Sequence, residues 1–351
     1  MPTSRQFHSA RVLALLATLG LLAALIAIGV PYVVLSPGPM YNTLGSEDGK
    51  ALVTISGTST YPTAGELDLL TVSERGGPYG GLTLPEAFIG WADKDRLVVP
   101  VDVIYPPGAT KQQVQQENAT EFTSSQSAAT AAAMHYLKEP VTSAVRVAAI
   151  ADGAPAKDVL QVGDVLVSVN GKAVENQTQV VTQLRALKPG TAVPMTIKRD
   201  DKTQDVTVTL GASPSNPNWG YAGISLDTVY SGPFSVTFGL SDVGGPSAGM
   251  MFSLAIVDKL TPDNLNGGKS VAGTGTISPD GKVGAIGGIA QKMAAARDHH
   301  SQLFLAPADN CDEVLEAGTT GLDVAKVSTL TEAIDVLTKW RNGSEQLPRC
   351  S

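Results

Sequence analysis

Cysteine is nearly absent: the 351-residue chain carries two, Cys311 and Cys350, too few for a metal site or a disulfide framework. An oxidising exterior would let them pair and tie the chain end to the last domain, but nothing in the sequence sets their distance, and two free thiols stay open. Histidine is scarce too. His8, His135, His299 and His300 are scattered apart from one adjacent pair, and no H-E-x-x-H occurs, so no metal or other cofactor is expected. Positive charge is short, with 25 Lys+Arg against 33 Asp+Glu, which argues against a nucleic-acid partner. A phosphate-binding loop is also missing: Gly268-Lys269-Ser270 suits its end, but Asp263 stands where its first glycine belongs, which argues against ATP-driven work.

What the chain does have begins with a charge-free run from Val12 to Leu35, 24 residues long, enough at helical rise to cross a bilayer. The run exceeds a usual signal-peptide core, and its exit lacks an evident pair of small residues for cleavage, so an uncleaved anchor is favoured. Arg5 and Arg11 precede it, while Lys50 is the only Lys or Arg between Ser36 and Glu74. The positive-inside rule then puts the amino terminus in the cytoplasm and the bulk outside.

Composition and turn signals divide the remainder into an α+β succession. After a cytoplasmic tail (1–11) and the anchor (12–35), a β-rich region (36–122) is expected, with strands at Ala51–Ser56, Leu67–Ser73 and Leu97–Tyr105. No chemistry is evident in it. A helix is predicted over Ser124–Leu137, and a second unit spans 123–212, with a hairpin turn at Asn170-Gly171 where both residues tolerate positive φ. The last domain, 219–341, is expected to contain an apolar helix at Ala248–Leu260 and a closing helix near Leu330–Trp340, ahead of a tail at 342–351.

The chemistry sits in that last domain. Ser247 lies in Gly244-Gly245-Pro246-Ser247-Ala248-Gly249, where glycines let the backbone turn sharply and a substrate approach. A serine needs a neighbouring base to attack a carbonyl. Lys292, among Ile289, Ala290, Met293 and Ala294 on a predicted helix, would lose hydration there, its pKa would fall, and it could take the proton. Each residue also has a plainer reading: Ser247 as a helix cap, Lys292 as a snorkelling surface lysine. Pro246 has no N–H, so an oxyanion would be held by backbone amides of Ser247 and of Gly245 or Gly244. Thr274 could orient the amine. The serine turn also fits G-x-S-x-G, an esterase elbow, but only His299 and His300 follow it as possible bases.

Two resemblances organise these readings. The run "DGAPA…LQVGDVLVSVNG" resembles a PDZ domain of the bacterial protease-associated type, which implies a groove for an extended peptide. No Gly-Leu-Gly-Phe loop precedes Ala144, so the peptide end held stays open, as does a role as mere spacer. The blocks "GGPSAG", "AGTGTISPDGKVGAIGGIAQK" and "LFLAPADN" are similar to the proteolytic domain of Lon proteases. That resemblance puts the family's catalytic serine on Ser247, its lysine on Lys292 and its supporting threonine on Thr274. With the anchor and the PDZ-like unit, the whole chain is similar to membrane-anchored PDZ-Lon proteins of bacteria. The implied function is cleavage of unfolded polypeptides outside the cytoplasm, with hexameric assembly as a family expectation. One departure stands out: many Lon enzymes carry an acid three positions before the serine, where this chain has Gly244, and Asp242 is the nearest acid. The rival readings are an α/β-hydrolase-like esterase and a non-catalytic PDZ scaffold.

Overall fold

A computed structural model describes residues 13–20, 29–240, 243–344 and 346–351. Residues 13–20 are helical, and β1 (Gly29–Val30), β2 (Tyr32–Asn42) and β3 (Glu66–Gly76) follow. Next come β4 (Leu82–Thr83), α1 (Leu84–Ala92), β5 (Leu97–Pro100) and the long α2 (Lys111–Tyr136). A second unit holds β6 (Thr142–Ile150), β7 (Val165–Val169), α3 (Gln177–Arg185), β8 (Ala192–Arg199), β9 (Lys202–Thr209) and β10 (Ile224–Ser231). The chain closes with α4 (Gly249–Leu260), β11 (Ser270–Gly273), α5 (Ile289–Asp298), β12 (Leu303–Pro307), α6 (Cys311–Ala317), β13 (Val324–Val327) and α7 (Leu330–Arg341).

The main sheet has the order β13-β12-β11-β3-β2-β5. Three strands come from before the second unit and three from after it. β3 pairs in parallel with β11, Leu67 opposite Val271 and Leu69 opposite Gly273. The expected boundary at residue 122 is therefore corrected: 29–136 and 243–341 build one domain, and the second unit is an insertion in it. Non-local pairing leaves no compositional mark, so the sequence read the two halves as neighbours.

The expected anchor is corrected at its carboxyl end. Residue 12 and residues 21–28 lie outside the described residues, but residues 29–30 and 32–35 are strand, and Val33, Val34 and Leu35 are buried in the sheet. A central strand is apolar on both faces, so a charge-free run does not separate it from a lipid span. Among the described residues, no helix is long and apolar enough to cross a membrane.

One face of the sheet is covered by α4, apolar all round because it is walled in on every side, with Met250, Phe252, Leu254 and Ile256 fully buried. Small residues let α2 lie against it; Ser253 Oγ donates to the Ala129 carbonyl at 3.3 Å. The helix α2 starts 13 residues before the expected Ser124. Its start is a capping box that the sequence reading missed, the Thr110 side chain accepting from the Gln113 amide and the Gln113 side chain reaching back to the Thr110 amide. The expected strand over Leu97–Tyr105 stops at Pro100, where residues 101–104 turn helical.

The inserted unit has its own core around Val147, Leu166, Val180 and Ile197. Its sheet runs β9-β8-β7-β6-β10, so β10, expected in the last domain, belongs here instead. The hairpin turn forms as predicted, with φ of 49° at Asn170 and 73° at Gly171.

The chain end is docked. A Cys311–Cys350 disulfide closes it, Leu347 is buried, and Lys326 N–H donates to the Pro348 carbonyl at 2.9 Å.

Candidate active site

Ser247 stands one residue before Ala248, the N-cap of α4, where the helix dipole favours negative charge. Two glycines make the turn possible. Gly245 has φ of 81°, and a Cβ on Gly249 would come within 2.6 Å of Ile277 Cγ2 and 2.8 Å of Ser125 Oγ. The turn is strapped from both sides. Gly275 N–H donates to the Ser247 carbonyl at 2.9 Å, Met250 N–H to the Gly275 carbonyl at 3.1 Å, and Ser125 Oγ to the Pro246 carbonyl at 2.9 Å.

Lys292 arrives from the opposite face on the first turn of α5. Gly288 caps this helix at φ 71°, and a Cβ there would lie 2.8 Å from Val72 Cγ2. Only glycine therefore brings the helix this close to β3. Lys292 is 2% exposed; burial pushes its pKa down to about 7. Its Nζ lies 2.7 Å from Ser247 Oγ and 2.9 Å from Thr274 Oγ1. The buried Thr274 hydroxyl in turn donates to the Ser247 carbonyl at 3.1 Å. Thr274 thus accepts one amine proton, which in the neutral amine leaves the lone pair to face the serine hydroxyl.

The structure brings together Ser247, Lys292 and Thr274. Of the three amides expected to hold an oxyanion, that of Gly245 donates to the Asn118 carbonyl at 2.9 Å and is engaged within the fold; this part of the expectation is corrected. Gly244 and Ser247 both line the cleft. The histidines of the esterase alternative, His299 and His300, sit exposed at the far end of α5, seven and eight residues from Lys292 and so about 10 Å along the axis. Asp242 lies outside the described residues.

Ser247 and Lys292 line a cleft of about 660 Å³. Sequence reasoning saw no chemistry in the region before residue 122, yet it supplies Thr71, Ser73, Glu74, Tyr79, Asn118 and Glu121 to the walls. Burial, helped by Glu117, pushes the Glu121 pKa up, and Tyr105 donates its hydroxyl proton to Glu74. Among the described residues, the acidic groups lining the cleft come from β3 and α2. For Asn118 and Glu121 the sequence signal was the capping box that extends α2 back past them. β11 pairs with β3 only as far as Leu69. Past that point, among the described residues, β3 has no strand partner on its β11 side.

In the inserted unit β10 is one of the two edge strands, β9 being the other, and is preceded by Gly220-Tyr221-Ala222-Gly223 with φ of 75° at Gly223. Across the edge, Gln177 Nε2 of α3 donates to Thr228 Oγ1 at 3.3 Å, and Ser127 Oγ of α2 to the Thr228 carbonyl at 3.2 Å.

Comparison with known proteins finds two family models on the chain, one starting within α2 and ending before β10, the other confined to the carboxyl-terminal part. Residues 118–210 match the family model of the PDZ domain, and residues 237–339 match that of the Lon protease (S16) C-terminal proteolytic domain. A probable periplasmic serine endoprotease, DegP-like, from Brucella suis is 31% identical over 86 residues, covering 22% of this chain and 17% of that protein. A mitochondrial Lon protease homolog from Emericella nidulans is 35% identical over 101 residues, 26% of this chain and 8% of that protein. The chain thus spans less than a fifth of the length of these curated relatives. Among solved structures, the PDZ domain of an SdrC-like protein from Listeria monocytogenes is 26% identical over 23% of this chain and 85% of its own, with a TM-score of 0.22. The chain carries a PDZ domain and a Lon-type proteolytic domain, which supports a serine peptidase.

Proposed function

We propose that this protein is an ATP-independent serine endopeptidase that cleaves unfolded or extended polypeptides with a Ser247–Lys292 dyad. The observation that carries this is the 2.7 Å approach of Nζ to Oγ by a lysine whose pKa burial lowers to about 7. An extended substrate adds to the open edge of β3 past Leu69, main-chain hydrogen bonds setting its register. Neutral Lys292 takes the hydroxyl proton as Oγ attacks the carbonyl carbon. The amides of Ser247 and Gly244 stabilise the oxyanion. Lys292 then protonates the departing amine, and water resolves the acyl-enzyme by the same steps in reverse.

The proposal extends to place. The charge-free run before Gly29 anchors the chain in the membrane, the amino terminus is cytoplasmic and the proteolytic domain is extracytoplasmic. The PDZ domain takes peptide segments at the β10 edge, and the chain assembles into the hexamer implied by its Lon resemblance. Incubating full-length protein with β-casein tests the chemistry. Wild type should cut it and Ser247→Ala should not, with unchanged thermal unfolding; cleavage by the variant overturns the assignment.

A further inference from the structure

The helix α1 has an unusual outer face. Its first turn is well capped, Glu86 accepting from the Thr83 amide at 2.9 Å and hydroxyl at 2.8 Å. Inward it presents only small residues: a Cβ on Gly90 would lie 2.6 Å from Val98 Cγ2. Outward, where a surface helix is normally polar, Phe88, Ile89 and Trp91 are 59%, 58% and 50% exposed. The rings are ordered against one another, Trp91 meeting Phe88 edge-on at 5.5 Å and Tyr32 at 5.4 Å between centroids. A contiguous exposed apolar face of this kind marks a surface that meets something apolar.

Its place in the fold says what. The charge-free run that starts at Val12 enters the described fold at β1, and β1 pairs with β4, Gly29 opposite Thr83. Thr83 is the residue that caps α1. The root of the run and the aromatic face are therefore one corner of the molecule. Trp and Tyr, apolar rings with a polar edge, concentrate where hydrocarbon gives way to headgroups.

We infer that α1 is a membrane-resting foot: Phe88, Ile89 and Trp91 insert into the interfacial layer of the bilayer beside the anchor and fix how the proteolytic domain stands on the lipid. The inference rests on the proposed anchoring, and its test separates the two. The chain has three tryptophans, so Trp219→Phe with Trp340→Phe leaves Trp91 as the sole emitter. This full-length variant is reconstituted in phosphatidylcholine vesicles with and without lipids brominated high on the acyl chain. The expected result is blue-shifted Trp91 emission, largely lost in the brominated vesicles. Flotation after alkaline washing reads the anchor separately. Chain that floats with unquenched Trp91 overturns the foot and leaves the anchor standing; chain extracted by alkali but quenched before the wash overturns the anchor and supports the foot. Blue-shifted but unquenched emission means a second copy covers the face, and overturns the inference. Since no free thiol exists among the described residues, Ile89→Cys carrying an environment-sensitive dye repeats the measurement without altering any tryptophan.

Discussion

Gly244 and Asn118 exclude one another's side chains: a Cβ on Gly244 would lie 2.6 Å from the Cβ of Asn118. The acid found three positions before the serine in many Lon enzymes is missing here because α2 already fills its space. Glu121, one turn further along α2, presents a carboxyl to the same cleft.

Gly244→Asp should therefore damage the site rather than repair it. The new side chain drives α2 away and breaks the bond from Gly245 to the Asn118 carbonyl, at an overpacking cost of about 1–3 kcal/mol. Casein cleavage should fall at least tenfold. Adding Asn118→Gly should recover part of both activity and melting temperature; no recovery would show that the two positions do not compete.

The pH dependence follows from Lys292. As general base it must be neutral, so kcat/KM should rise with pH through about 7. Stability runs the same way. Between about 7 and 10.5 the unfolded lysine holds a proton that the native one has released, so wild type gains stability as pH rises, by about 1.4 kcal/mol per unit. Lys292→Met lacks this slope. The variant should be inactive yet more stable than wild type, most of all below pH 7, with the gap closing toward pH 10.5 in calorimetric scans.

Thr274→Val keeps shape and burial but removes the hydroxyl that bridges Lys292 Nζ and the Ser247 carbonyl. The amine loses its fixed orientation while the cleft is unchanged. A kcat lower by roughly 10- to 100-fold with KM nearly constant is expected, as for loss of an interaction felt in the transition state. A rise in KM alone would assign Thr274 to substrate binding instead.

Cys311→Ser with Cys350→Ser opens a 39-residue span, and the chain-entropy account gives a loss of about 2–4 kcal/mol. Melting should drop accordingly, with reductant reproducing the effect in wild type and leaving the variant unmoved. Cleavage at 25 °C should persist, since α6 and the docked tail lie outside the cleft lining.

That Ser247 and Lys292 could meet was legible because the signals are local: glycines that bracket Ser247, and Gly287-Gly288 ahead of Lys292. The PDZ core was legible for the same reason, through the Asn170-Gly171 turn. Half of the cleft was not. Leu67 to Leu69 meet Val271 to Gly273 across most of the chain, and no periodicity announces such a partner. Val33 to Leu35 read as lipid-facing because a central strand and a membrane span ask for the same side chains. The α2 residues that wall the cleft are polar and were counted within the β-rich region ending at residue 122.

The insertion of the PDZ domain between the two halves of the main sheet also orders events in time. During synthesis β3 and α2 emerge long before β11 and α5, and until those arrive β3 lacks its parallel neighbour and Ser247 its base. Under the proposed mechanism the nascent chain would be unable to cut itself or its neighbours, and proteolytic competence would begin only once the last third of the chain has been made and has closed the sheet.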